Sequence, residues 1–166
     1  MKQYAIFLLL LFFSIDAFAQ SNNQLFEMIN ASFIKYVGVE KEHYANRMAV
    51  NGNSEFYPLR FTDIYIALEN YPLGFEFSSQ IKKLGFQFIY LQSNAAKKIL
   101  NKPKTVVFMI GPTIEDNTLT IMFSPRIVTR KGDNINIIVS DWVKCTWQYM
   151  CDSRKWELID VKSGGI

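Results

Sequence analysis

The stretch DWVKCTWQYMC, residues 141–151, followed by DSRK at 152–155 and WELIDV at 156–161, decides the fold. Alternate residues of a strand point to one face. On that parity Val143, Cys145, Trp147, Tyr149 and Cys151 share one side, and Lys144, Thr146 and Gln148 share the other. The first set reads as buried and the second as mostly wet. A turn over 152–155 places Cys151 opposite Trp156 and Tyr149 opposite Leu158, which adds to the same apolar surface. Trp142 falls on the polar side, where a large ring has less reason to be, and it marks a candidate interface.

Upstream, the same period of two recurs. Ile135 begins a long run that reaches Cys151, and Lys131-Gly132-Asp133 forms a turn before it. Thr118 to Phe123 alternates polar and apolar, with Pro125 interrupting or edging that strand. Thr105 to Ile110 is strongly β-prone, and Phe86, Phe88 and Tyr90 alternate, as do Ile64, Ile66 and Leu68. Between them, Ser78 to Leu84 reads as a helical turn stopped by Gly85. Ser93 or Asn94 caps a short helix through Leu100, which Pro103 prevents from continuing.

Residues 21–36 carry the other periodicity. Leu25, Ile29 and Phe33 recur every fourth residue, with Phe26, Ile34 and Val37 beside them, the stripe of an amphipathic helix. Gly38 is a natural stop, and Glu40 to Val50 is compatible with a second, shorter helix before the Asn51-Gly52-Asn53 turn. The expected architecture is α+β: an N-terminal helix packed on a curved antiparallel sheet that ends in a C-terminal β-meander.

The N-terminus reads as an export signal. Lys2 supplies a positive charge, Ala5 to Ile15 is apolar, and Ala17-Phe18-Ala19 offers small residues where a signal peptidase cuts. The apolar run is about half the roughly 20 residues a membrane-spanning helix needs. Residues 1–19 are therefore expected to be removed, leaving residues 20–166 as one globular domain, periplasmic or extracellular, with no membrane span.

Composition narrows the function classes. A formal charge of +3 is too small to indicate nucleic acid, which calls for a concentrated basic face. Aromatic residues make up 15% of the chain, enough for a substantial core. Cys145 and Cys151, six strand residues apart, sit about 20 Å from each other if the strand is continuous. A disulfide needs Cα atoms within about 7 Å, so two reduced thiols are expected unless the chain reverses between them. His43 is the single histidine, lying among Glu40, Lys41 and Glu42, with no second histidine to share a metal. No phosphate-cradling loop appears, and no cofactor is called for. Glu115 and Asp116 read as turn chemistry, whereas Asp141 and Asp160 are a carboxylate pair that the sheet register could bring together. Asn30-Ala31-Ser32 matches a glycosylation sequon inside the expected helix. Lys82-Lys83, Lys97-Lys98, Lys102, Lys104 and Arg130-Lys131 are basic clusters at helix and turn surfaces.

Ser140-Asp141-Trp142, Trp147-Gln148-Tyr149, Trp156-Glu157-Leu158 and Gly164-Gly165-Ile166 together resemble the endings of small exported bacterial proteins of uncharacterised activity. The resemblance covers the last third of the chain and implies bacterial export. The order of helix then sheet is similar to cystatin-like and NTF2-like domains, a likeness of topology that carries no function. Abundant aromatics without a catalytic motif point to a non-catalytic domain that binds a protein or a small ligand, an inhibitor or immunity protein being one form. Trp142, Lys144, Arg130 and Lys131 are its candidate surface. A small NTF2-like hydrolase using paired carboxylates is the alternative.

Overall fold

The apolar stripe beginning at Leu25 runs further than its first turns suggest. The computed structural model describes residues 24–46, 60–139 and 141–165, and residues 24–46 form one continuous helix, α1. Gly38 does not end it; an exposed mid-helix glycine costs only about 1 kcal/mol against alanine. The stripe extends past Gly38 because Tyr36, Val37 and Val39 still pack on the sheet. The expected leader lies outside the described residues, and so do Asn51 to Asn53.

After a short 3₁₀ turn at Phe61–Asp63, the chain forms β1 (Ile64–Ala67), α2 (Ser79–Lys82), β2 (Gln87–Ile89) and α3 (Asn94–Ile99). Five further strands follow: β3 (Lys104–Glu115), β4 (Thr118–Lys131), β5 (Asn134–Val139), β6 (Asp141–Met150) and β7 (Lys155–Gly165). They build one mostly antiparallel, open sheet in the order β2-β1-β3-β4-β6-β7, with β5 also pairing β4. The sheet is not antiparallel throughout, as expected above: β1 runs parallel to both β2 and β3. Parallel neighbours need a crossover of a dozen residues or more, and residues 68–86 and 90–103 supply them. Ser78 and Ser93 cap the two crossover helices by accepting from the N–H of Ile81 and Ala96.

The crossovers cover opposite faces. Ile81 of α2 joins α1 on the face built from Ile66, Val107, Met109, Leu119, Ile121, Phe123 and Val143. Ala96 and Leu100 pack on the reverse face, against Tyr65, Ala67, Val106 and Val128. Phe33 sits at the middle of the larger layer, with ring centroids 5.1–5.7 Å from Tyr36, Phe77, Phe86 and Phe123.

The long run from Ile135 is two strands on one edge of β4. Arg126 pairs Val139 and Phe123 pairs Val143, so the register slips by one residue around position 140. Ser124 and Pro125 lie at this break, so Pro125, which has no N–H to give, sits within β4 where the second ladder is interrupted. Near the C-terminus, Tyr149 pairs Trp156 and Trp147 pairs Leu158, with a bulge between Thr146 and Trp147. The turn begins at Cys151, earlier than expected. Between the turn and the bulge the register moves by two residues, so Tyr149, Trp147, Trp156 and Leu158 keep their faces; beyond the bulge the shift is one residue, and Asp160 comes opposite Thr146. No helix among the described residues is long and apolar enough to cross a membrane.

Candidate functional site

Leu25, Met28 and Ile29 of α1 belong to the apolar cluster that also holds Val143 and Trp147 of β6 and Trp156 of β7. Between α1 and the hairpin end of those strands lies a groove of about 320 Å³. Gln24, Glu27, Met28 and Ala31 of α1 form one wall; Trp147 of β6 and Lys155 and Trp156 of β7 form the other. Both indoles are half-buried.

Their orientations are held from within. The Trp147 Nε1–H donates to Ser32 Oγ at 2.9 Å. Ser32 is fully buried on α1, and its carbonyl also accepts from Cys145 Sγ at 3.7 Å. The Trp156 ring stands edge-on to Tyr149 with centroids 5.5 Å apart. The rim is chemically open: Gln24, Glu27 and Lys155 make no hydrogen bond or ion pair among the described residues, and neither does the Trp156 N–H. A shallow apolar floor with convergent polar groups is the ordinary form of a ligand site.

A second concavity of about 380 Å³ lies at the β2 edge, among Tyr71, Phe75, Phe77, Phe88 and Tyr90. Leu73 stands fully exposed at its loop tip. The Tyr71 ring stacks on Phe75 at 5.0 Å, while its hydroxyl is buried without a partner among the described residues. Burial pushes the Tyr71 phenol far above its ordinary range.

A third cluster lies where α1 passes the start of β6. Burial raises the Tyr36 phenol, and the Glu40, Tyr71 and Asp141 charges raise it further. His43 Nε2 lies 3.5 Å from Ser163 Oγ. No group of three metal-ligating side chains occurs among the described residues.

The structure disperses the residues proposed from the sequence as one surface. Trp142 and Lys144 do share a face of β6, both half-buried. Trp142 lies across Gly164 of β7, so close that a Cβ there would fall 2.6 Å from the ring, and the missing side chain leaves room for the indole. Arg130 is not at the surface. Its side chain is 3% exposed and donates to the carbonyls of Leu91 at 2.6 Å and Gly132 at 2.9 Å, with Asp133 3.6 Å away. It fastens the α3 crossover to β4. Lys131 is exposed at the far end of β4, six residues beyond Pro125 and so about 20 Å from the Trp142 region.

Other expectations resolve individually. Asp141 and Asp160 take opposite faces of the sheet, because Asp160 pairs Thr146 while Asp141 shares the parity of Val143. Asp160 instead contacts Lys162 at 3.1 Å. Glu115 and Asp116 are exposed, with Asp116 in the turn at φ 52°. Both cysteines are free; Cys145 is buried, but Cys151 is exposed at the turn rather than facing the core. Asn30 is committed inside the fold: its amide donates to Phe26 O and Glu76 O, and its oxygen accepts from the Ser78 N–H.

Sequence reasoning placed Trp147 and Trp156 on one apolar face but left them within the core. Their parity was readable; the groove they form with α1 was not. No family model matches the chain, and neither does a curated protein or a solved structure.

Proposed function

We propose that this chain is an exported, non-catalytic binding domain whose ligand seats in the groove between α1 and the β6–β7 hairpin. The carrying observation is the contrast inside that groove: two indoles with braced rings, and a rim of polar groups with no partner among the described residues. Polar groups left unpaired beside apolar surface favour a ligand that supplies their partners. Export is supported by the charge, apolar run and small residues at the N-terminus. An inhibitor or immunity role is one form of the reading, with a segment of a partner protein in the groove. A long helix packed on a mostly antiparallel open sheet also supports kinship with cystatin-like or NTF2-like domains, although β1, parallel to both neighbours, departs from a simple antiparallel meander.

The test is a screen of diverse small molecules and peptides, followed by tryptophan fluorescence and indole N–H resonances. Ligands that shift the Trp156 resonance, and lose that shift in Trp156→Ala, support the reading. Ligands that act only at the β2-edge aromatics would move the site there.

A hydrolase using carboxylates is the second reading, with Glu40 and Asp141, whose charges raise the Tyr36 phenol, as its candidates. Hydrolytic turnover by the wild type that Asp141→Asn abolishes, with the fold intact, would replace the binding reading with this one.

A further inference from the structure

The rim of the indole groove narrows the chemistry of what fits it. Glu27 on α1 and Lys155 on β7 face the groove from opposite walls, both exposed and unpaired among the described residues. Their charges cancel across the site. A cationic ligand is attracted by Glu27 and by the indole faces but opposed by Lys155, and an anionic ligand meets the reverse. A neutral ligand escapes both penalties.

The polar groups also differ in kind. Glu27 only accepts hydrogen bonds, Lys155 and the Trp156 N–H only donate, and Gln24 does both. A ligand that satisfies all of them must carry donors and acceptors around its perimeter. Met28, Ala31 and the two indoles offer it an apolar surface at the same time. A pyranose ring has this combination: hydroxyls at its edge, each donor and acceptor, and a face of C–H bonds that packs on an aromatic ring. The volume, about 320 Å³, lies at the low end of ligand cavities, about 300–1,000 Å³, and suits one or two sugar rings rather than a folded partner surface.

The bracing of the rings supports this further. Trp147 is anchored through Ser32 and Trp156 is held against Tyr149, so neither must be ordered when a ligand arrives. Side chains ordered in advance remove part of the entropic cost of binding.

We infer that the groove is a carbohydrate-binding subsite for a neutral glycan, with Trp147 and Trp156 as the stacking platform and Gln24, Glu27 and Lys155 as the hydroxyl-reading rim. The inference rests on the binding reading above and specifies its ligand.

The experiment titrates residues 20–166 with cellotetraose, maltotetraose, xylotetraose and chitotetraose, recording tryptophan fluorescence and indole resonances. The expected result is saturable binding of at least one, with both Trp147 and Trp156 perturbed. Trp156→Ala weakens that binding by about tenfold or more, the usual loss for a central aromatic anchor. Because Trp156 also packs on Tyr149, the exposed variants Glu27→Gln and Lys155→Gln are measured beside it, and each weakens binding severalfold with unchanged melting temperature. A titration with a mixture of neutral tripeptides separates the two levels of the argument. Peptides that perturb the indoles while all four sugars fail overturn the carbohydrate assignment and leave the groove as a peptide site. Failure of both classes overturns the groove itself. Sugar binding that survives Glu27→Gln, Lys155→Gln and Trp156→Ala places the glycan elsewhere and overturns the inference.

Discussion

The two halves of the sheet are built on different terms. Around β1, β2 and the first half of β3, α1 and α2 cover one face and α3 covers the other, so β1 is buried along almost its whole length. Around β6 and β7, among the described residues, α1 is the element packed on the sheet, and burial alternates along β6 through Val143 and Cys145. Two-sided cover suits parallel strands, and one-sided cover suits antiparallel ones. Where cover is doubled, the side chains of β1 disappear into the core, while Phe88 and Tyr90 stay exposed at the β2 edge. Where it is single, two half-buried indoles line a groove beside polar groups with no partner among the described residues. The groove proposed above as the ligand site lies in the second half.

That division makes graded predictions. The largest loss is expected at Phe33, where four aromatic neighbours meet: Phe33→Ala costs about 3–5 kcal/mol in denaturant unfolding. A comparable loss from Trp156→Ala would erase the contrast between the halves. Next is Arg130, buried on the doubly covered side. Arg130→Met leaves the Leu91 and Gly132 carbonyls without their donor and costs about 2–3 kcal/mol. Ser32→Ala strips the Trp147 N–H of its partner; the cost is about 1 kcal/mol, with a changed Trp147 fluorescence or indole resonance that reports the loosened groove wall.

Tyr71→Phe is expected to act in the opposite direction. It removes a buried hydroxyl with no partner among the described residues, and a gain of up to about 1 kcal/mol at neutral pH should appear as a higher melting temperature. The same residue sharpens the pH dependence. Burial holds the phenols of Tyr36 and Tyr71 above their ordinary value of 10.0 and the Cys145 thiol above 9.0. The unfolded chain therefore releases these protons first, so above about pH 9 it binds fewer protons than the native state. Stability falls as pH rises through 9 and 10, and Tyr71→Phe flattens that fall. An alkaline limb identical in wild type and variant would contradict it. The smallest effect is expected at the exposed Lys82–Glu76 pair, 3.4 Å apart: Lys82→Gln changes stability by no more than about 0.5 kcal/mol.

Local signals led to most elements directly. Ser78 and Ser93 cap the helices that their neighbours announce, and the alternation in 105–110, 118–123 and 156–161 becomes strand in each case. The candidate surface was much less legible. Arg130 is a charged residue beside a turn, and nothing in its immediate neighbours says that the Leu91 carbonyl, far along the chain, will claim its guanidinium. Trp142 reads as an unsupported ring until Gly164 is known to lie beside it. The pairing of Asp141 with Asp160 failed because opposition across a ladder depends on which strand registers with which, and a one-residue change turns a side chain to the other face.

The amino-acid order by itself determined the periods: a 3.6-residue stripe through Leu25, Ile29 and Phe33, and two-residue alternation from Val143 to Tyr149, because helix and strand geometry act between near neighbours. Only the tertiary structure decided that β1 would lie parallel between β2 and β3, that α1 would continue through Gly38, and that Trp147 and Trp156 would line a groove against it. Those outcomes depend on which distant surfaces meet, and the free energy that selects them comes from burying whole faces together rather than from any local run of residues.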